Sequence, residues 1–218
     1  ALRQSVVDTC RRMNATGINQ GTVGNVSART EAGFLISPTG VPYDRLAPEQ
    51  IVAMDRDGGW SGDWRPSSEW RIHAAIYAAR PEAGAVVHSH APHATALSCL
   101  RRDIPAFHYM MAVTGGPSLR CAEYATYGTP ELAANMLRAL DGRTACLLAN
   151  HGAVGFARSL EAALALMAEV ETLCRQYILA RQAGEPVILE DAEMTRILEI
   201  FKTYGRQDAG QPPMESAP

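Results

Sequence analysis

Lysine is almost missing from this 218-residue sequence: Lys202 is the only one, because nearly all of the 20 basic residues are arginine. Chemistry that runs through a lysine Schiff base therefore has one candidate, close to the C-terminus. Long apolar runs are lacking as well. No window holds the ~18 apolar residues of a membrane span, and the chain opens on an amphipathic run rather than a basic segment followed by an apolar stretch. The five cysteines, Cys10, Cys99, Cys121, Cys146 and Cys174, are odd in number, scattered and never in a C-x-x-C pair, a usage that suits reduced thiols and a cytoplasmic location. A net charge of -3 without a run of arginines gives no footprint for a nucleic-acid backbone or an anionic membrane. There is also no P-loop or dinucleotide fingerprint, so a nucleotide is not suggested.

What is present is an ordinary globular composition, 47% hydrophobic and 20% charged, in a chain long enough for one core and too short to divide comfortably in two. Leu2, Val6, Val7, Cys10 and Met13 share one face of a helix that ends at Gly17. Residues 22–29 and 34–37 read as a hairpin about Glu31-Ala32-Gly33, and 51–54 as a third strand before turn residues 55–59. Ser67-Ser68-Glu69 opens a helix carrying Ile72, Ile76 and Ala79, with serine as the cap and glutamate in the first turn. A buried strand, 85–87, runs into His88-Ser89-His90. Helices follow at 94–100 and from Thr129-Pro130-Glu131, then a strand at 146–149, then helices at 160–181 and 190–204. The tail, 207–218, reads as disordered. Strands mixed with helices without strict alternation predict an α/β fold with a mostly antiparallel central sheet flanked by helices, in one domain over 1–206.

His88 and His90 are two apart at a strand end, so the period of a strand sends both imidazoles to one face. His151 ends another strand beside Gly152, whose missing side chain permits close backbone approach. Three nitrogen ligands and one open position make a catalytic zinc site rather than a closed structural one. A lone H-x-H pair also arises by chance, so the weight falls on the third histidine. His93 and His108 read as structural or supporting residues, and His73, four after Glu69, as an i,i+4 contact.

Three turns have the chemistry of an anion site: Gly21 to Asn25, Ser37-Pro38-Thr39-Gly40, and Ser67-Ser68 at a helix start. Each alone is also explained by what turns and helix caps need.

Together these motifs resemble a known family. Gly24-Asn25-Val26-Ser27, Pro38-Thr39-Gly40, Pro66 to Trp70, Val86 to His90, Ile104-Pro105 through His108-Tyr109-Met110, Asn150-His151-Gly152 and Phe201 to Gly205 look like the class II aldolases of the L-fuculose-phosphate aldolase type, in order, from about Arg3 to Gly205. The resemblance implies His88, His90 and His151 as zinc ligands, with Glu69 as acid/base and fourth ligand of the empty enzyme. It implies Gly24, Asn25, Thr39, Gly40, Ser67 and Ser68 as binders of the substrate phosphate. Tyr109 would reach a neighbouring subunit's site, Phe201 and Tyr204 would close over it, and the assembly would be a fourfold-symmetric homotetramer. Two positions depart from the fuculose-phosphate pattern: Tyr127 stands for a phenylalanine on the aldehyde side, and Asn150 for a histidine. The implied reaction is reversible cleavage of a phosphorylated ketose to dihydroxyacetone phosphate and a small aldehyde. Rival activities of the fold are a pentulose-phosphate 4-epimerase, which carries an aspartate where Glu69 stands, and a phosphosugar dehydratase or decarboxylase. A non-catalytic adducin-like domain would lack the histidine set.

Overall fold

The sheet is easiest to follow from its middle strand. In a computed structural model, which describes residues 1–203, β4 (Ala85–Ser89) is the fourth of seven strands in the order β3-β2-β1-β4-β7-β6-β5. Its neighbours are β1 (Asn25–Arg29) and β7 (Gly152–Ala157), both antiparallel to it. Beyond β1 come β2 (Gly33–Ile36) and β3 (Val52–Asp55); beyond β7 come β6 (Ala145–Leu148) and the two-residue β5 (Cys121–Ala122), whose pairing with β6 is the one parallel ladder. Among the described residues six α-helices cover the sheet: α1 (Leu2–Ala15), α2 (Trp70–Ala79), α3 (Pro92–Ser98), α4 (Pro130–Ala139), α5 (Leu160–Ala183) and α6 (Asp191–Phe201).

Strand alternation divides the core in two. Val26, Ala28, Ala85, Val87, Ala145, Leu147 and Ala153 face α1, α3, α5 and α6, whereas Val86, Cys146, Leu148, Val154 and Phe156 face α2 and α4. With both faces covered, the central strands become apolar on both sides. Each fully buried aliphatic side chain, such as Ile72 or Ile76 of α2, contributes about 1.5–3 kcal/mol by leaving water. The same alternation puts Asn25, Ser27, His88 and His90 toward the α2 face, so the polar positions of β1 and β4 lie on the side where the site forms.

Most expected elements are present, with differences that have physical causes. Strand β7 was not foreseen: Gly152 and Gly155 interrupt its apolar pattern, and Gly155 lies close under α5, where a Cβ would come within 2.8 Å of Met167 Sδ. Helix α2 does not start on a serine cap. Ser67 is held in an extended pairing by its N–H donating to the Ser37 carbonyl (3.0 Å), so Glu69 occupies the cap position and the helix begins at Trp70. Thr129 does cap α4, accepting from the Leu132 N–H at 3.3 Å, with Pro130 as first helical residue. The last helix ends at Phe201, and Tyr204 and the tail 207–218 lie outside the described residues.

Candidate active site

His88 is anchored by the strand that the sequence hid. Its Nδ1–H donates to the Ala153 carbonyl of β7 at 2.9 Å, and its Nε2 is thereby turned to the opposite side. There it lies 3.1 Å from His90 Nε2 and 3.1 Å from Glu69 Oε2. His151 Nε2 is 3.0 Å from Glu69 Oε1, an oxygen that is buried without a hydrogen bond. The three imidazole rings form a near-equilateral triangle with centroids 4.8–4.9 Å apart.

His151 comes from the turn between β6 and β7 rather than from a strand end. Asn150 before it adopts φ 53°, a left-handed conformation that asparagine tolerates better than most residues. Backbone bonds tie this turn to α3: the Asn150 N–H donates to the Ser98 carbonyl (3.1 Å) and the His151 N–H to Ser98 Oγ (3.3 Å). Gly152 allows the close approach expected of it, since a Cβ would meet the Ser89 carbonyl oxygen at 2.4 Å and His90 Cδ2 at 3.1 Å.

One ligand atom each from Glu69, His88, His90 and His151 lies within 4.8 Å of the others. With its hydrogen on Nδ1, His88 presents a bare Nε2 to both His90 Nε2 and Glu69 Oε2, and Glu69 Oε1 is left without a hydrogen bond. A divalent cation satisfies all four atoms, and a set of three imidazoles and a carboxylate suits zinc. Burial opposes an ionised Glu69, but the adjoining His88 and His151 outweigh it and hold the carboxyl well below the usual carboxylate range. For His88 burial lowers the proton affinity and Glu69 more than restores it, whereas His90 is pushed down to about 4 by burial and then by His88 and His151.

Above the cluster opens a cavity of about 350 Å³ with Glu69, His90 and His151 at its floor and Val23, Tyr124 and Tyr127 among its walls. Tyr127, expected on the aldehyde side, is 64% exposed there. Tyr124 was missed; only its place three residues before Tyr127 could have flagged it. A wider concavity of about 1000 Å³ lies along α1, but its lining includes no histidine or cysteine.

The three expected anion turns are neighbours. Val26 N–H donates to Ser37 Oγ (3.2 Å), Ser67 N–H to the Ser37 carbonyl, and Pro38 bridges Pro66, so the three turns are joined, and Asn25 and Ser67 reach Glu69. Other expected residues lie apart from the cavity. Tyr109 sits half-exposed in a short 3-10 turn, 109–114, stacked on His108, and Phe201 packs at the edge of the α5 side of the core. His93 pairs with Glu171 (2.6 Å) and His108 Nδ1 accepts from the Met110 N–H (3.2 Å), and neither joins the cluster. His73 is neither a ligand nor in direct contact with Glu69: Asn25 stands between them, because Glu69 precedes the helix and its side chain is turned to the cluster.

Comparison with known proteins agrees with this geometry. Residues 4–178 match the family model described as the class II aldolase and adducin N-terminal domain. The chain is 51% identical over 205 residues to a Rhodospirillum rubrum protein named 5-methylthioribulose-1-phosphate/5-deoxyribulose-1-phosphate aldolase, covering 94% of this chain and 93% of that one. It is 49% identical over 205 residues to the L-fuculose phosphate aldolase of Escherichia coli strain K12, covering 94% and 95%. A solved structure of L-fuculose 1-phosphate aldolase superposes with a TM-score of 0.89 at 41% identity, covering 92% of this chain and 95% of that one. The chain therefore belongs to the class II aldolase and adducin N-terminal domain family, and within it to the enzymes, the class II aldolases.

Proposed function

We propose that this enzyme is a zinc-dependent aldolase that reversibly cleaves a ketose 1-phosphate to dihydroxyacetone phosphate and a small aldehyde. The observation that carries the reading is the convergence of His88, His90, His151 and Glu69, the last three of which line a cavity. The names of the relatives support it, since each specifies an aldolase of a ketose phosphate. A cation bound by the three histidines supplies Lewis-acid polarisation of the substrate carbonyl. In the condensation direction an ionised Glu69 takes the proton from the carbon of dihydroxyacetone phosphate next to that carbonyl, and in cleavage it returns the proton to that carbon once the carbon–carbon bond has broken. Asn25, Thr39, Gly40, Ser67 and Ser68 hold the phosphate and so fix the carbon chain over Glu69. Lys202, exposed at the end of α6 and paired with Glu199, offers no Schiff-base alternative within the cavity. Tyr109 and Phe201, which lie outside the cavity of their own chain, act in a homotetramer on the site of a neighbouring subunit. Five free thiols fit the reducing cytoplasm.

For the aldehyde, a fuculose-type hydroxyaldehyde is the first reading. A second is favoured by the exposed apolar wall of Val23, Tyr124 and Tyr127, which suits the aldehyde left by a 5-deoxy or 5-methylthio ketose. Glu69→Gln tests the mechanism: it keeps zinc through the histidines and slows solvent-deuterium exchange into dihydroxyacetone phosphate by ~10²–10⁴. His90→Ala, or chelation of the wild type, loses the metal and the exchange together. Wild-type exchange in zinc-loaded Glu69→Gln would remove Glu69 from the role of base.

A further inference from the structure

Behind Glu69, on the side away from the cavity, runs a line of polar side chains with no exit to solvent. Tyr77 Oη lies 2.8 Å from Ser27 Oγ, and Ser27 Oγ lies 2.6 Å from His73 Nδ1. His73 Nε2 meets Asn25 Oδ1, and Asn25 Nδ2 lies 3.2 Å from Glu69 Oε2. All five residues are buried, Ser27 and His73 completely. Two periodicities build the line: Asn25 and Ser27 are two apart on β1, and His73 and Tyr77 are four apart on α2.

A buried polar atom left without a partner costs ~1–3 kcal/mol, so a line of five is stable only when every hydrogen is placed. One end fixes the placement. An ionised carboxylate only accepts, so Asn25 must present its NH₂ to Glu69 and its carbonyl oxygen to His73. His73 must then carry hydrogen on Nε2. Burial, then the nearby His88, lowers its proton affinity to about 3, so the ring is neutral and Nδ1 accepts from the Ser27 hydroxyl. Ser27 in turn accepts from the Tyr77 hydroxyl, and every hydrogen bond of the line points toward Glu69.

We propose that His73 is a positioning residue for this reaction: as the neutral Nε2–H tautomer it locks the Asn25 amide so that an N–H, never a carbonyl, meets the carboxylate of Glu69. Without that donor the amide is free to turn over, and its carbonyl oxygen would repel Glu69 from the place where it takes the proton. One histidine outside the cavity thereby sets which end of the Asn25 amide the base meets. The inference rests on the reading of Glu69 as the base, but its first test does not.

That test is the two-bond ¹H–¹⁵N spectrum of ¹⁵N-labelled, zinc-loaded protein, in which the ring signals lost in His73→Gln belong to His73. Hydrogen on Nε2 with an unprotonated Nδ1 is expected; the Nδ1–H tautomer or an imidazolium would overturn the proposal. The second test is deuterium exchange into dihydroxyacetone phosphate. His73→Leu is expected to lower its kcat by ~10–100-fold, as loss of a supporting partner at a metal site does, with KM and bound zinc unchanged. His73→Gln, whose amide donates to Asn25 from the same side, restores most of the rate. Equal losses in both variants, or none in His73→Leu, overturn the proposal. Absence of exchange in the wild type would instead strike at the base assigned to Glu69, while the tautomer still decides the line behind it.

Discussion

His73 carries a stability signature as well as a geometric one. Burial holds it down to about 3 in the folded chain against 6.5 in the open, so between those values the unfolded state binds more protons than the folded state. Stability therefore falls as pH drops through 6.5 toward 3, by at most ~1.4 kcal/mol per unit. Between pH 7.5 and pH 5 wild type should lose about 2 kcal/mol more than His73→Gln in urea titrations; parallel losses would show that His73 is protonated in the fold. The residue also marks where reading the sequence stopped. The four-residue spacing from Glu69 was visible, but Glu69 lies before the helix, and the partners that His73 does have come from β1, far away in sequence. His88, His90 and His151 were legible because strand period and an adjoining glycine are local signals, whereas Tyr124 had none.

At the scale of elements, the site is held by two junctions: the β6–β7 turn against α3, and the Ser37–Thr39 turn against Pro66-Ser67. The first depends on Gly152. Because a Cβ there would overlap the Ser89 carbonyl at 2.4 Å, backbone must move, so Gly152→Ala should weaken zinc binding by ~10–100-fold and destabilise the fold together; competition with a chelating dye reads the first and urea titration the second. The second junction is tested by Ser67→Ala, which should raise KM for the phosphorylated ketose more than it lowers kcat, because a phosphate grip acts on ground and transition states alike. Equal turnover of phosphorylated and unphosphorylated ketose would exclude a phosphate site. Helices and strands with clean periods were readable beforehand. Strand β7 was not, since its glycines serve contacts with Met167 and Ser89 that no local pattern announces, and the start of α2 was misplaced because Ser67 spends its N–H on another strand segment.

At the scale of the whole molecule, the proposed homotetramer is what would give Tyr109 and Phe201 a part in the reaction. Near Tyr109, Met110 and Val113 share a concavity of about 820 Å³ with Phe156 and Leu166, a surface apolar enough to be covered by another copy. Light scattering should give four times the mass of one 23.5 kDa chain, and mixing inactive Glu69→Gln with Tyr109→Phe chains should recover activity beyond that of either alone. A monomer with full activity would confine the reaction to residues of one chain. No helix among the described residues is long and apolar enough to cross a membrane.

The histidine cluster also has a mechanical address. Its fully buried member, His88, belongs to β4, the fourth of seven strands, with β1 and β7 on either side. Twist in a sheet accumulates outward, by ~20–25° per neighbouring pair, so a breathing motion that swings β3 or β5 through a wide arc leaves β4 nearly still, as bending leaves the neutral axis of a beam unstrained. Fraying would begin at the two-residue β5 and at β3, several strands from His88. The molecule can loosen at its rims in this way and still hold the spacing of its imidazoles.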